Sequence, residues 1–267
     1  MAVMAAHSPP AVGPLLRGWR RRRNMSQMEV ALTAAVSSRH LSFIETGRSR
    51  PSREMVLHLA ERLDVPLGER NILLLAAGYA PEYRERGLDD AEMAAVRDAL
   101  GRFLDAHEPY PALVADRRCD IVMTNGALGV LLDGVAPKLL QPPANAMRIA
   151  LHPDGMAPRI LNLPEWSGHL LQVLRRRAEA EGAPELTALH DELAALPGVE
   201  LAPPTTGAAA GVVVPLRLRS ADGGGELTFL STTSRFGTAL DVTLAGLWIE
   251  AFYPAADATA EALRVAG

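Results

Sequence analysis

Cysteine and lysine are nearly absent from this 267-residue chain: Cys119 is the one thiol and Lys138 the one lysine among 27 basic residues. A single cysteine excludes an intrachain disulfide and a cysteine-based zinc cluster, and fits a reducing, cytoplasmic setting. So little lysine beside so much alanine reads as the imprint of a GC-rich, bacterial genome and carries no function. No charge-free apolar run reaches the ~18 residues of a membrane helix. The nearest, Leu201–Leu216, is broken by three prolines, two glycines and a Thr-Thr pair. The amino terminus has no basic segment followed by an apolar stretch, so a secretory signal is not expected.

Enzyme signatures are missing too. There is no GxSxG elbow, no GxxxxGK[ST] phosphate loop, no GxGxxG and no HExxH. His152-Pro153-Asp154 and His190-Asp191 each bring an imidazole near a carboxylate. Lacking a third ligand or a nucleophile, they read as surface polar clusters. Cys119 reads as a buried inert thiol, not a redox sensor. No catalytic residue, metal or cofactor is therefore expected.

What the chain does hold is apolar bulk and uneven charge. Hydrophobic residues make up 48% and charged residues 22%, with mean hydropathy +0.07, enough to build a core and exclude a wholly disordered chain. The length allows one or two domains at ~100–200 residues each. The formal net charge is −4, but it is not spread evenly. Residues 1–70 carry 11 arginines against 6 acidic residues, or +5, leaving −9 for the remainder. A basic binding module joined to an acidic body is the implied plan. The run Arg20-Arg21-Arg22-Arg23, taken alone, reads as a solvated helix face.

Beyond a loose tail at 1–12, the first eighty residues read as short helices with no strand signal. Leu15, Leu16 and Trp19 recur at helical spacing. Ser26-Gln27-Met28-Glu29 has capping-box form, opening a helix that buries Val30, Ala31 and Ala34. Ser37 caps a third helix with Leu41 and Ile44 inward, and Gly47 sits where a helix commonly ends. Pro51-Ser52 starts a fourth, with Met55, Val56, Leu59, Ala60 and Leu63 on one face. A fifth runs from about Pro66 to Ala77, with Gly78 beyond it.

Two short helices separated by Ala34-Ala35-Val36-Ser37 describe a helix-turn-helix, and over residues 13–78 the sequence resembles the Cro/phage-repressor-like (XRE) DNA-binding domain. The resemblance rests on Leu16-Arg17-Gly18-Trp19-Arg20, Ser26-Gln27, Val36-Ser37, Leu41-Ser42-Phe43-Ile44-Glu45-Thr46-Gly47-Arg48 and Arg50-Pro51-Ser52. Ala35 stands where that family usually has glycine, so a strained turn is expected. The recognition helix, Ser38 to Thr46, must bury Leu41 and Ile44, which turns Ser38, Arg39, Ser42 and Phe43 toward the major groove. Arg39 is the residue assigned to read a base, its fork matching guanine O6 and N7; Phe43 suits a thymine methyl. By resemblance, Gln27 bonds a phosphate and braces the reading side chain. Ser37, Arg48 and Arg50 are assigned to phosphate. His40 either approaches the backbone or faces solvent. Arg20 and Glu45 match family positions that form a structural ion pair.

The second half reads as α+β. A helix from Asp89 to Ala106, with Met93, Val96, Leu100 and Phe103 in a stripe, lies in a linker over 81–108. A hairpin spans Ala112–Val114 and Ile121–Met123, turning at Asp116-Arg117-Arg118. Helices follow at Gly126–Leu132, Glu165–Ala180 and Glu185–Leu196. Strands are expected at Gly211–Arg219, Glu226–Ser234 and Leu244–Phe252, the first two joined by Asp222-Gly223-Gly224-Gly225. Over about 107–257 this half resembles the MmyB-like regulator ligand-binding domain, a PAS-like fold. The matching segments are Pro111–Val114, Asp120–Asn125, Asn162–Trp166 and Phe236–Leu244; Cys119 replaces a common tryptophan and Gly246 an expected glutamate. The overall fold class is thus a five-helix DNA-binding bundle (13–80) followed by a PAS-like antiparallel sheet domain with covering helices (109–257), ending in a tail (258–267).

The resemblance implies a small, fatty-acid-like effector between sheet and helices. Met123, Trp166, Leu170, Phe229 and Phe252 are the candidate lining, with Arg148 or Arg159 for a carboxylate head. The expected protein is a sequence-specific transcription regulator, a homodimer on double-stranded DNA, with an apolar effector and no membrane partner. The alternative keeps DNA binding but makes the second domain a protein-interaction or dimerisation module without a small ligand, as in an antitoxin or developmental regulator.

Overall fold

The computed structural model describes residues 11–200, 213–220 and 225–266. Most of the expected tail at 1–12, the start of the Gly211 strand and Asp222-Gly223-Gly224 lie outside the described residues. The chain divides into two compact units: the first holds residues up to Arg86 together with Thr238–Ala245, the second Gly87–Gly237 and Gly246 onward.

The first unit contains α1 (Val12–Arg22), α2 (Gln27–Thr33), α3 (Ser38–Glu45), α4 (Arg53–Arg62) and α5 (Leu67–Ala76). Each of three starts has a hydroxyl cap. Ser26 accepts from the Glu29 N–H, and Glu29 accepts in return from the Ser26 N–H, closing the capping box. Ser37 caps α3 through the His40 N–H, and Ser52 caps α4 through the Met55 N–H. The helices close over Leu16, Trp19, Val30, Leu41, Ile44, Val56, Leu59, Leu73 and Leu74, all buried. Two backbone positions set the geometry. Gly13 of α1 lies so close to α3 that a Cβ there would meet the Ile44 carbonyl oxygen at 2.4 Å. Ala35, in the turn between α2 and α3, has φ of +51°, the left-handed conformation the missing glycine would have taken without cost.

The second unit begins with α6 (Ala94–His107), preceded by a single 3-10 turn. It continues with β1 (Ala112–Ala115), β2 (Ile121–Thr124), the short helices α7 (Gly129–Leu132), α8 (Pro137–Leu140) and α9 (Ala146–Leu151), then α10 (Leu163–Glu181) and α11 (Pro184–Ala194). After these come β3 (Leu216–Arg219), β4 (Glu226–Arg235), β5 (Trp248–Pro254) and α13 (Asp257–Ala266), while the short helix α12 (Val242–Gly246), which follows β4 in the chain, belongs to the first unit except for its last residue. The five strands form one antiparallel sheet in the order β2-β1-β5-β4-β3. Along β4 and β5 alternate residues face the helices, with Phe229 opposite Pro254, Ser231 opposite Phe252, Thr233 opposite Glu250 and Arg235 opposite Trp248. The core between sheet and helices gathers Leu113, Leu128, Leu151, Trp166, Leu171, Leu174, Leu216, Phe229 and Trp248.

Several expected elements differ. The last strand starts at Trp248, not Leu244, because Asp241 Oδ1 accepts from the Thr243 and Leu244 N–H groups and starts α12 there. Residues 258–266 form α13, not a tail: Leu263 is buried, and Thr259 Oγ1 accepts the Thr228 N–H at 3.0 Å. The buried stripe is Met93 of the 3-10 turn with Leu100 and Leu104 of α6, while Phe103 is 39% exposed and stacks on His107. The helices α8 and α9 span one turn or little more, too few residues for periodicity to register.

Ala35→Gly is expected to stabilise the first unit by about 0.5–1 kcal/mol. Left-handed strain of about 1–2 kcal/mol is removed, partly offset by the greater freedom of glycine in the unfolded chain. Chemical denaturation checks this; a lower midpoint for the variant would contradict strain at this turn.

Candidate DNA-reading surface and ligand cavity

One helix in the first unit is fixed on one side and free on the other. Leu41, Ile44 and Glu45 of α3 are buried, while Ser38 and Arg39 are exposed and His40, Ser42 and Phe43 are half-buried. The Arg39 guanidinium stands 5.3 Å from the centre of the Phe43 ring, and that of Arg48 stands 5.9 Å from it. The outward face therefore presents one aromatic ring flanked by two cations.

The burial of Glu45 is what orients this face. Its side chain is 1% exposed. Arg20 donates to it through Nε at 2.6 Å and Nη2 at 2.9 Å, Gln27 through Nε2 at 2.8 Å, and Arg17 through Nε at 3.4 Å. One carboxylate thus ties α1 and α2 to α3. Burial pushes its pKa up, but the hydrogen bonds and charge of its partners prevail, leaving it below the ordinary value. The arginine run on α1 divides accordingly. Arg20 faces Glu45, Arg23 donates to the Leu63 and Asp64 carbonyls, and Arg22 lies over Trp19, so only part of the run is solvated face.

Other assigned residues are placed as follows. Ser37 is exposed at the start of α3 and Arg48 just past its end. Arg50 donates through Nε and Nη2 to the Ala77 carbonyl and lies over Tyr79. A Cβ at Gly78 would meet Arg50 Nη2 at 2.6 Å, so that glycine makes room for the guanidinium. Gln27 is engaged by Glu45.

In the second unit a cavity of about 460 Å³ lies between the inner face of the sheet and α10, within the range of small-molecule sites, about 300–1,000 Å³. One wall is Trp166, His169, Leu170, Val173 and Arg177 of α10, at the spacing of one helix face; the other includes Ser231, Thr233, Arg235, Trp248, Glu250 and Phe252. Leu128, Leu131, Met147, Ile149 and Met156 add apolar surface. Trp166, Leu170 and Phe252 were named from sequence. Phe229 is buried in the core and Met123 is half-buried, both outside the lining. Arg148 pairs with Glu192 at 2.7 Å, and Arg159 donates to the Val130, Asp133 and Arg219 carbonyls, so neither lines the cavity. Sequence reasoning missed Arg177 and Glu250. The signal was available only in part: alternation along β5 puts Glu250 on the face of Trp248 and Phe252.

The two departures from the ligand-domain pattern meet near this cavity. Cys119 ends the β1–β2 turn at φ +68°, fully buried, with burial raising its pKa and Arg177 Nη1 3.3 Å from the sulfur. A Cβ on Gly246 would already meet Arg117 Cβ at 3.3 Å, so the turn packs where a larger residue would stand. Among the described residues no group of three or more His, Cys, Asp or Glu side chains is placed to hold a metal, and no helix is long and apolar enough to cross a membrane. His152 and Asp154 sit with Lys138 in an exposed polar cluster.

A helix-turn-helix bundle and a cavity-bearing α+β unit define the class: a DNA-binding transcription regulator with a separate ligand-binding-like domain. Comparison with known families agrees. Residues 11–73 match a helix-turn-helix domain, and residues 96–266 match the MmyB-like transcription regulator ligand binding domain, so the chain belongs to the MmyB-like regulator family. The transcriptional regulator ClgR of Mycobacterium tuberculosis is 37% identical over 83 residues, 31% of this chain and 71% of that protein. An uncharacterized HTH-type transcriptional regulator of Mycobacterium bovis is 28% identical over 137 residues, 51% of this chain and 50% of its own length.

Because Glu45 titrates lower in the folded than in the unfolded state, its contribution to stability is fully present above pH 4.5 and is lost as the pH falls through its depressed folded value. Glu45→Gln is expected to flatten that acid loss. At neutral pH it is expected to cost near the low end of the about 3–5 kcal/mol seen when a buried ion pair loses one partner, since Arg20 keeps some access to water. Urea denaturation at a series of pH values measures both.

Proposed function

We propose that the chain is a homodimeric, sequence-specific transcription regulator whose DNA affinity responds to a small apolar effector, fatty-acid-like in that hydrocarbon dominates it. The observation that carries the DNA part is the outward face of α3, with Arg39 exposed and Phe43 half-buried beside it while Leu41, Ile44 and Glu45 are buried. Arg39 reads a base edge, and Phe43 meets a thymine methyl. Ser37 and Arg48 take phosphates from the two ends of the helix. Gln27 and Arg50, both engaged within the protein, act mainly by bracing. A two-fold dimer places half-sites about one helical turn, ~10 bp, apart.

The cavity supports sensing over the interaction-module alternative. Its connection to DNA binding runs through the chain between β4 and β5, the two strands that supply most of the sheet wall. That connecting segment, Thr238–Ala245, belongs to the first unit. There the Val242 N–H donates to the Arg84 carbonyl at 2.9 Å, and Arg86 Nη1 meets the buried Asp241 carboxylate at 2.8 Å. An effector that binds two arrangements of β4 and β5 unequally changes DNA affinity through this anchor.

Selection of bound DNA from a random pool tests the reading helix and yields the half-site spacing. Arg39→Ala is expected to cost about 1–3 kcal/mol on the selected operator and to relax one base pair, whereas Arg48→Ala weakens binding to all sequences and lowers the salt slope by about one. Equal losses on operator and random DNA for both variants would overturn the division of roles. Asp241→Ala is expected to leave unliganded DNA binding near wild type while reducing the effector's influence on it, read by titrating labelled operator with and without effector.

A further inference from the structure

The charged side chains of the cavity are not equally provided for. Arg177 donates to the Arg117 carbonyl at 2.9 Å and pairs with Glu181 at 3.4 Å, and its guanidinium lies over the Trp248 ring. Arg235 pairs with the same Glu181 at 3.4 Å. The two cations of the lining therefore already share a protein carboxylate. His169, packed on Trp166, has its pKa lowered by burial and by Arg176, which favours its neutral form. Glu250 differs from all three. It projects from β5 between Thr233 of β4 and Leu113 of β1, with Trp248 and Phe252 two residues to either side on the same face. Thr233 Oγ1 donates to its Oε2 at 2.7 Å, and the Ser231 hydroxyl also bonds to it. Among the described residues it forms no ion pair, and burial pushes its pKa up.

We infer that Glu250 is the specificity-determining residue of the cavity and that the effector is an apolar amine, its ammonium pairing with the Glu250 carboxylate between Trp248 and Phe252. A carboxylate retains acceptor capacity after two hydroxyl bonds, and in an apolar cavity one without a cation is costly. A ligand that brings the cation removes that cost, and the Phe252 ring beside the carboxylate favours an ammonium further, Trp248 being already covered by Arg177. A fatty carboxylate brings the wrong sign to Glu250 and competes with Glu181 for the two arginines that share it. The inference rests on the cavity being the effector site and adds the head group.

The test is calorimetric titration of the full chain with three probes of one chain length, decylamine, decanoate and decanol, each below its micelle concentration. Decylamine is expected to bind at least about tenfold more tightly than the other two, and Glu250→Gln to remove about that factor. Decanol binding by Glu250→Gln stays within about twofold to threefold of wild type, which also shows that the variant keeps its fold and cavity. Decanoate binding more tightly than decylamine, or an unchanged amine preference in Glu250→Gln, overturns the inference and leaves the cavity as an effector site. Failure of all three probes to bind overturns the effector-site reading itself.

Discussion

A carboxylate held out of water by two arginines and a glutamine is the interaction on which the helix-turn-helix depends. Glu45 is the last residue of α3, and its donors come from α1 and α2. Burying an ionised group is expensive, and the expense is recovered only when most of its acceptor sites are filled at good geometry. Only a narrow set of orientations of α3 satisfies that condition. Apolar contacts from Leu41 and Ile44 hold the helix against the bundle but tolerate some rolling; the charged hub does not. Under the proposed role of α3, recognition needs side chains at defined positions relative to base edges, and a directional constraint on the inner face supplies that precision on the outer one.

Close backbone packing serves the same end. Gly13 lets α1 approach the carbonyls at the end of α3, and the left-handed Ala35 sets the turn that leads into it. Ala35 retains a strain that glycine would relieve, evidence that packing around the turn outweighs local preference. A similar exchange occurs at Gly246, where the Arg117 side chain occupies the space beside the backbone.

The cavity of the second unit uses polarity sparingly and gathers most of it on the sheet wall, with His169 and Arg177 on the helix wall. It is apolar along α7, α9 and most of α10, while the inner face of β4 and β5 carries Ser231, Thr233, Arg235 and Glu250. Those strands flank the Thr238–Ala245 segment that is part of the DNA-binding unit. Most polar groups of the lining are thus on the elements whose connection is anchored at Arg84 and Arg86. An apolar contact constrains little beyond volume, whereas a polar contact on β4 or β5 is directional, which gives a ligand purchase on their arrangement.

Local chemistry made the first unit legible from sequence. Ser26, Ser37 and Ser52 act within three residues of themselves, the positions of Leu41 and Ile44 follow from helical period, and their burial dictates that Arg39 points outward. The antiparallel strands were visible as short runs bounded by turn residues, and β5 was misplaced by four residues at its start, where the Asp241 carboxylate turns the chain into a helix, and by two at its end. Tertiary structure alone decided what long-range pairing controls. Gln27 and Arg50 face protein partners 18 and 27 residues away, Arg148 and Arg159 are held outside the cavity, and Arg177 and Glu250 become neighbours of one space from different elements. The physical reason is distance along the chain: caps and periodicity are settled within a turn or two, whereas a cavity exists only after helix and sheet have closed around it.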